Sequence, residues 1–207
     1  FLSIMPTIYT IDATQTPAMI TEATLVTRDG AAAEALDLEG ITLDGEGGFW
    51  LASEGRTDRD IPHMLYRVDA EGAIVEEVSF PDSLLANEIR FGSEGVSSVG
   101  TGEDMVLWIA IQREWGDDEA GMTKLVSYKP STGEWGAVNY PLETPADGAW
   151  VGLSEITIHG DYAYIVERDN QIAGNAELKK LYRVPVAELV GAEIGGELPV
   201  VTKEEVR

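Results

Sequence analysis

Two sets of charged side chains have the types and spacing to do chemistry together. Glu39, Glu94 and Glu155 each sit at the head of an apolar run, 55 and 61 residues apart. The run that follows each one closes on an acid beside an arginine: Glu54-Gly55-Arg56, Gln112-Arg113-Glu114 and Glu167-Arg168-Asp169. Carboxylates gathered at one point raise each other's pKa unless a cation joins them. A set of six to eight oxygens with loose geometry is what Ca²⁺ accepts, which makes Glu39, Glu54, Glu94, Glu155 and Glu167 the candidate metal ligands. The planar guanidinium fork matches phosphate oxygens, so Arg56, Arg113 and Arg168 are the candidate catalytic groups. In calcium-assisted phosphate-ester hydrolysis a metal offsets phosphate charge and lowers the pKa of an attacking water, while arginines hold the leaving group or product. Two plainer roles stay open: glutamates accepting backbone N–H bonds from a neighbouring unit, and acid–arginine pairs acting as salt bridges between units.

The elements that must position these residues repeat. Leu38–Leu43 leads through a turn at 44–48 into Phe49–Glu54. Ser93–Val99 leads into Leu107–Glu114, and Ser154–Ile158 leads through His159-Gly160-Asp161 into Ala163–Arg168. A second hairpin follows each pair: His63–Val68 with Ala73–Val78, Lys124–Tyr128 with Trp135–Tyr140, and the opening strand Lys180–Val184. Asp-x-x-Gly turns such as 69–72 suit adjacent antiparallel strands. Four strands per unit, at a period of this length, predict the blades of a β-propeller, with the innermost strand of each lining a central channel. Residues 7–11 and 19–27 read as two further strands around the turn at 15–17. The single helical candidate is Pro185–Val190. The fold expectation is therefore all-β: about four blades of a six-bladed propeller with four-stranded antiparallel blades. Residues 1–207 form one domain on this reading, truncated at both ends, whose remaining blades or further domains belong to a longer chain.

Composition narrows the partners. There are 14 basic and 37 acidic residues, a net charge of −23. A nucleic-acid surface needs cationic side chains to neutralise phosphates, so that class is excluded. The charge suits cation binding or a solvated acidic surface. No cysteine is present, which removes disulfides, thiol nucleophiles and thiolate metal sites. With only His63 and His159, both expected at the surface, a zinc site is not supported. Ser53, Ser93 and Ser154 lie in strands or their lead-ins, not in the strand-to-helix elbow of a serine esterase. There is no P-loop and no dinucleotide fingerprint, and no apolar run reaches the ~18 residues of a membrane span. Asp117-Asp118-Glu119 reads as a solvated acidic loop with some capacity for a cation.

The wording of the repeats resembles a known family. Asp37-Leu38-Glu39-Gly40-Ile41 with Trp50–Glu54, Phe91–Val96, Gly152–Ile156, Val166–Asn170 and Lys180–Val184 resemble, in order, the phytase-like family called esterase-like activity of phytase. The resemblance implies a β-propeller of bacterial exported proteins, secreted or periplasmic, acting on a phosphorylated small molecule such as a phytate-like ester. It also admits a non-catalytic, calcium-stabilised binding or scaffold module. A lactone or sugar-acid hydrolase, a chemistry known for propellers with a channel Ca²⁺, is a third and weaker reading.

Overall fold

The computed structural model describes residues 5–206; residues 1–4 and 207 of the expected domain lie outside the described residues. The chain opens with two short hairpins. They are β1 (Thr7–Asp12) with β2 (Met19–Leu25), and β3 (Thr27–Arg28) with β4 (Ala31–Ala32). The first sheet follows, in the order β5 (Leu38–Leu43), β6 (Phe49–Ser53), β7 (Met64–Val68), β8 (Ile74–Ser79). The second is β9 (Ser93–Val99), β10 (Val106–Ile111), β11 (Met122–Lys129), β12 (Glu134–Pro141), and the third is β13 (Val151–His159), β14 (Tyr162–Asp169), β15 (Lys179–Pro185), β16 (Glu204–Glu205). Every neighbouring pair in these sheets is antiparallel. The all-β class holds. In place of about four blades, the described residues form three four-stranded sheets, because the leading hairpins pair within themselves.

The tight turns follow from side-chain chemistry. Asp44 Oδ1 accepts hydrogen bonds from the Glu46 and Gly48 amides at 2.8 Å, and Asp69 Oδ1 accepts from Glu71 and Ala73. Each aspartate thereby satisfies the amides that the reversing chain frees from the ladder. The one α-helix among the described residues is the single turn α1 (Asp82–Leu85), where no helix was expected. The expected helix at 185–190 is only a 3₁₀ turn, Val186–Glu188. Beyond it the chain runs along the edge of the second sheet, bridging Ala137 to Ala192 and Asn139 to Val200, before returning as β16.

Strand periodicity distributes the core. Alternate residues of a strand point to opposite faces, so Leu107, Ile109 and Ile111 of β10 enter the core shared with the first sheet, beside Trp50, Ala52 and Val96. Trp108 and Ala110 enter the core shared with the third sheet, beside Leu153, Ile156 and Ile165. Both faces of this central strand are buried, and truncating Ile109 to alanine is expected to cost about 2–5 kcal/mol. A third core joins Leu51 and Tyr66 to Val26 and Ala33 beneath the leading hairpins.

The first strands of successive sheets lie side by side and nearly touch through their backbones. A Cβ on Gly40 would stand 2.7 Å from the Val96 nitrogen, and one on Gly95 would stand 2.7 Å from the Ile156 nitrogen. Two further seams repeat one device. Gly92 approaches the Glu54 carbonyl and Gly152 the Gln112 carbonyl so closely that a Cβ would overlap each. Such approaches tolerate only glycine, and they set how the sheet ends that carry the candidate residues face one another.

Candidate functional site

The first strand of each four-stranded sheet carries a β-bulge in its first half, and the bulge aims the side chains. In the first sheet Leu38 pairs with Ser53 and Gly40 with Ala52, leaving Glu39 as the extra residue. In the second, Ser93 pairs with Ile111 and Gly95 with Ala110, leaving Glu94. In the third, Leu153 pairs with Glu167 and Glu155 with Val166, leaving Ser154. Bulges re-aim a side chain and are common beside functional sites. They also correct the expected equivalence: Ser154, not Glu155, is the counterpart of Glu39 and Glu94. Glu155 takes the place of Gly40 and Gly95. Its carboxylate folds back onto its own chain at the seam, accepting from the Ile156 amide at 2.7 Å.

The same register shifts the partner position. The residue one place beyond the pair that bounds each bulge is Glu54, Gln112 and Arg168 in the three sheets. Each stands by its sheet's bulge residue. Gln112 Nε2 donates to Glu94 Oε1, Arg168 Nε donates to Ser154 Oγ at 2.7 Å, and Glu54 lies within electrostatic reach of Glu39. The structure thus brings together Glu39, Glu54, Glu94 and Arg168, and adds Asp37, Gln112 and Ser154 to them.

Glu167 is withdrawn from the group. It sits opposite Leu153, wholly buried, where Lys203 Nζ at 2.7 Å and the Tyr140 hydroxyl at 3.0 Å donate to it. Lys203 also lies 3.3 Å from Glu143, whose carboxylate accepts from the Tyr182 hydroxyl at 2.7 Å. Both Glu167 oxygens are thereby taken, Oε2 by Lys203 and Tyr140 and Oε1 by the Glu143 amide. The one-residue offset between Glu167 and Arg168 sends adjacent side chains to opposite faces.

The negative charge of the group is only partly compensated. Burial first, and neighbouring carboxylates after it, push the Glu54 and Glu94 carboxyls up to about 7: Asp37 and Glu39 act on Glu54, and Glu54, Glu39 and Asp37 act on Glu94. Glu39, although its side chain reaches solvent, is also raised, first by desolvation and then by Asp37. Arg168 opposes the rise at Glu39 and Glu94, and Arg56 and Arg90 oppose it at Glu54. Arg56 itself is paired with Asp58 at 3.0 Å. Arg113 stands a step aside, its guanidinium 5.1 Å over Phe91 and 4.6 Å over Trp150.

Oxygen donors dominate this end. Gln112 Oε1 is buried without a partner, beside the Glu94 carboxylate that its own amide contacts. An orphaned carbonyl oxygen among raised carboxylates is a donor set that fits a hard cation such as Ca²⁺. Glu39, Glu54, Glu94 and Gln112 would hold it. Among the described residues no three acidic or histidine side chains already converge at ion-holding distance.

His63, expected at the surface, is buried beneath this cluster. Its ring lies 5.2 Å from Trp115 and 6.2 Å from Phe80, under Gly55 and Gly92, where a Cβ would strike it. Burial pushes its pKa down to about 4. Nε2 lies 3.1 Å from Glu88 Oε2 but off the line a hydrogen bond needs. His159 is exposed, as expected. Asp117 and Asp118, expected as a solvated run, instead clamp the buried Lys124. The reading of the sequence missed Ser154, because the phrase Ser-Glu recurs at 93–94 and 154–155. The β-branched residue that follows (Ile41, Val96, Ile156) carried the correct alignment.

No helix among the described residues is long and apolar enough to cross a membrane. Comparison with curated proteins and with solved structures finds no match. The sequence profile described as "Phytase-like: Esterase-like activity of phytase" matches residues 3–207, so that the chain belongs to the phytase-like family.

Proposed function

We propose that the three sheets are successive blades of a six-bladed propeller whose channel mouth is a calcium-dependent phosphoester hydrolase site. The family description points at a coarse level to a phosphatase-type hydrolase. The observation that carries the finer reading is one mouth holding two carboxyls with pKa values near 7 and a guanidinium not engaged by a carboxylate. Arg168, fixed through Nε by Ser154, keeps its remaining N–H groups free of carboxylates and available to an incoming oxyanion. Glu54 and Glu94 would serve the ion as carboxylates, and one of the pair left outside the ion's shell can take a proton from water or return one to a leaving oxygen. Bound Ca²⁺ supplies charge neutralisation and a lowered water pKa. Gln112 orients Glu94, and the glycine contacts at 92 and 152 hold the three strand ends in register. Export to a periplasmic or extracellular space, where Ca²⁺ is plentiful, is part of the same proposal.

Phosphate release from an aryl phosphate and from phytate, with Ca²⁺ and with chelator, tests it. Calcium-dependent release that falls at least a hundredfold in Arg168→Ala and Glu94→Gln is expected, the scale of losing a preorganised charged contact. Release unaffected by either variant removes the assignment. A calcium-stabilised chain with no release on either substrate identifies the binding or scaffold module instead.

A further inference from the structure

Four arginines elsewhere are taken up by carboxylates: Arg28 by Glu77 at 2.7 Å, Arg56 by Asp58 at 3.0 Å, Arg67 by Asp44 at 3.0 Å, and Arg183 by Glu204 at 2.8 Å. This is the expected fate of an arginine in a chain of charge −23. Where the second and third sheets meet, aromatic rings take the carboxylate's place. Arg90 lies 5.6 Å over Phe91. Arg113 lies over both Phe91 and Trp150, at 5.1 Å and 4.6 Å, and Arg168 lies 5.4 Å over Trp150. The two rings are themselves 5.4 Å apart.

The difference matters because of which part of the guanidinium each partner uses. A carboxylate consumes the in-plane N–H fork, whereas an aromatic ring engages the flat face and leaves the fork free. Arg113 shows the result. Its Nε is buried with no acceptor, and its nearest carboxylate, Glu114, stops at 3.9 Å. A cavity of about 410 Å³ opens beside it, lined by Arg113, Glu114, Leu142, Thr144, Pro145 and Trp150 among others. A buried donor that finds no acceptor within the chain is a group open to a partner from outside.

We infer that the Arg113–Trp150–Arg168 stack is an oxyanion subsite that takes a phosphoryl group, with Trp150 as the residue that positions both guanidiniums. The choice of phosphoryl over other oxyanions rests on the phosphoester reading above; the subsite itself rests on the stack. Trp150 acts through the arginines. Its loss should therefore weaken binding of the anion and raise KM more than it lowers kcat.

Calorimetric titration of the chain with inorganic phosphate, with sulfate and acetate as parallel arms, tests this. Phosphate binding is expected, about tenfold weaker in Trp150→Leu and largely retained in Trp150→Phe, the scale of a desolvated cation–π contact. Arg113→Lys, which keeps charge and loses the fork, should weaken it similarly. Thermal melting confirms that each variant is folded before titration. If folded Trp150→Leu and Arg113→Lys bind phosphate like the parent, or if the parent binds none, the subsite is refuted. Acetate binding as tight as phosphate overturns the phosphoryl assignment. Phosphate binding that follows the predicted order in a chain without hydrolytic activity supports the subsite and sinks the hydrolase reading alone.

Discussion

The paired carboxyls of Glu54 and Glu94 make a thermodynamic prediction that needs no substrate. Both have native pKa values near 7, against an ordinary 4.5. Between those values the native state binds more protons than the unfolded chain, so the contribution of each carboxyl is fully present below pH 4.5 and lost as pH rises through 7. One such difference corresponds to roughly 3 kcal/mol. Solvent screening of these partly buried groups reduces it to roughly 1–2 kcal/mol. His63 runs the other way: its native value near 4 lies below its ordinary 6.5, so stability from it is gained as pH rises from 4 to 6.5. The two trends oppose each other in the parent protein. The clean quantity is therefore the difference between the parent and Glu94→Gln, in which the His63 effect cancels. The amide keeps an acceptor for Gln112 and removes one repelling charge. Without added metal, melting at pH 5 should show little difference between the two proteins. At pH 8 the variant should melt about 2–8 °C higher, as roughly 1–2 kcal/mol implies for a chain of this size. A variant whose melting shift is the same at both pH values refutes the claim that these carboxyls are mutually strained.

Other predictions follow from single contacts. Excess Ca²⁺ should raise the melting temperature at pH 8 more than at pH 5, where the carboxyls are protonated and cannot bind it; equal shifts at the two pH values would argue against the Glu39–Glu54–Glu94 cluster as the ion's position. Lys203→Met strands the fully buried Glu167 and should cost about 3–5 kcal/mol in urea unfolding, while adding Glu167→Gln should restore part of the loss. Gly92→Ala places a methyl 1.9 Å from the Glu54 carbonyl and 2.3 Å from His63 and should lower stability by more than about 3 kcal/mol. Gly174→Ala, with open space around it, is the matched control, and equal melting of the two alanine variants would contradict the seam.

Much of the fold was legible because strand runs and turn residues are local signals. The continuous apolar run Val106–Ile111 and the aspartate turns at 44 and 69 follow from the residues themselves. The bulges were not legible. A bulge inserts one residue without changing composition, and Ser154-Glu155 imitates Ser93-Glu94 while the ladder sets them one place apart. That slip misassigned Glu155 and Glu167 together, since the two strands share one register. The burial of His63 was hidden for a different reason. Its place depends on glycines at 55 and 92 and on aromatic rings at 80 and 115, contacts that no nearby sequence pattern encodes. The arginine–aromatic stack was half visible: Arg113 and Arg168 drew attention by their acidic neighbours, whereas their working partners are Phe91 and Trp150.

The bulge pairs carry one more consequence. Passing from the first sheet to the third they are Glu39 with Glu54, Glu94 with Gln112, and Ser154 with Arg168. The backbone repeats while the formal charge runs from two negative, through one, to one positive. This end of the three sheets is thus polarised from side to side, and its electric field has a direction, running between the third sheet and the first. A ligand with a cationic and an anionic end has a single favoured orientation there, cation toward the first sheet and anion toward the third. The threefold repetition of the scaffold supplies the frame, and its chemical asymmetry supplies a compass.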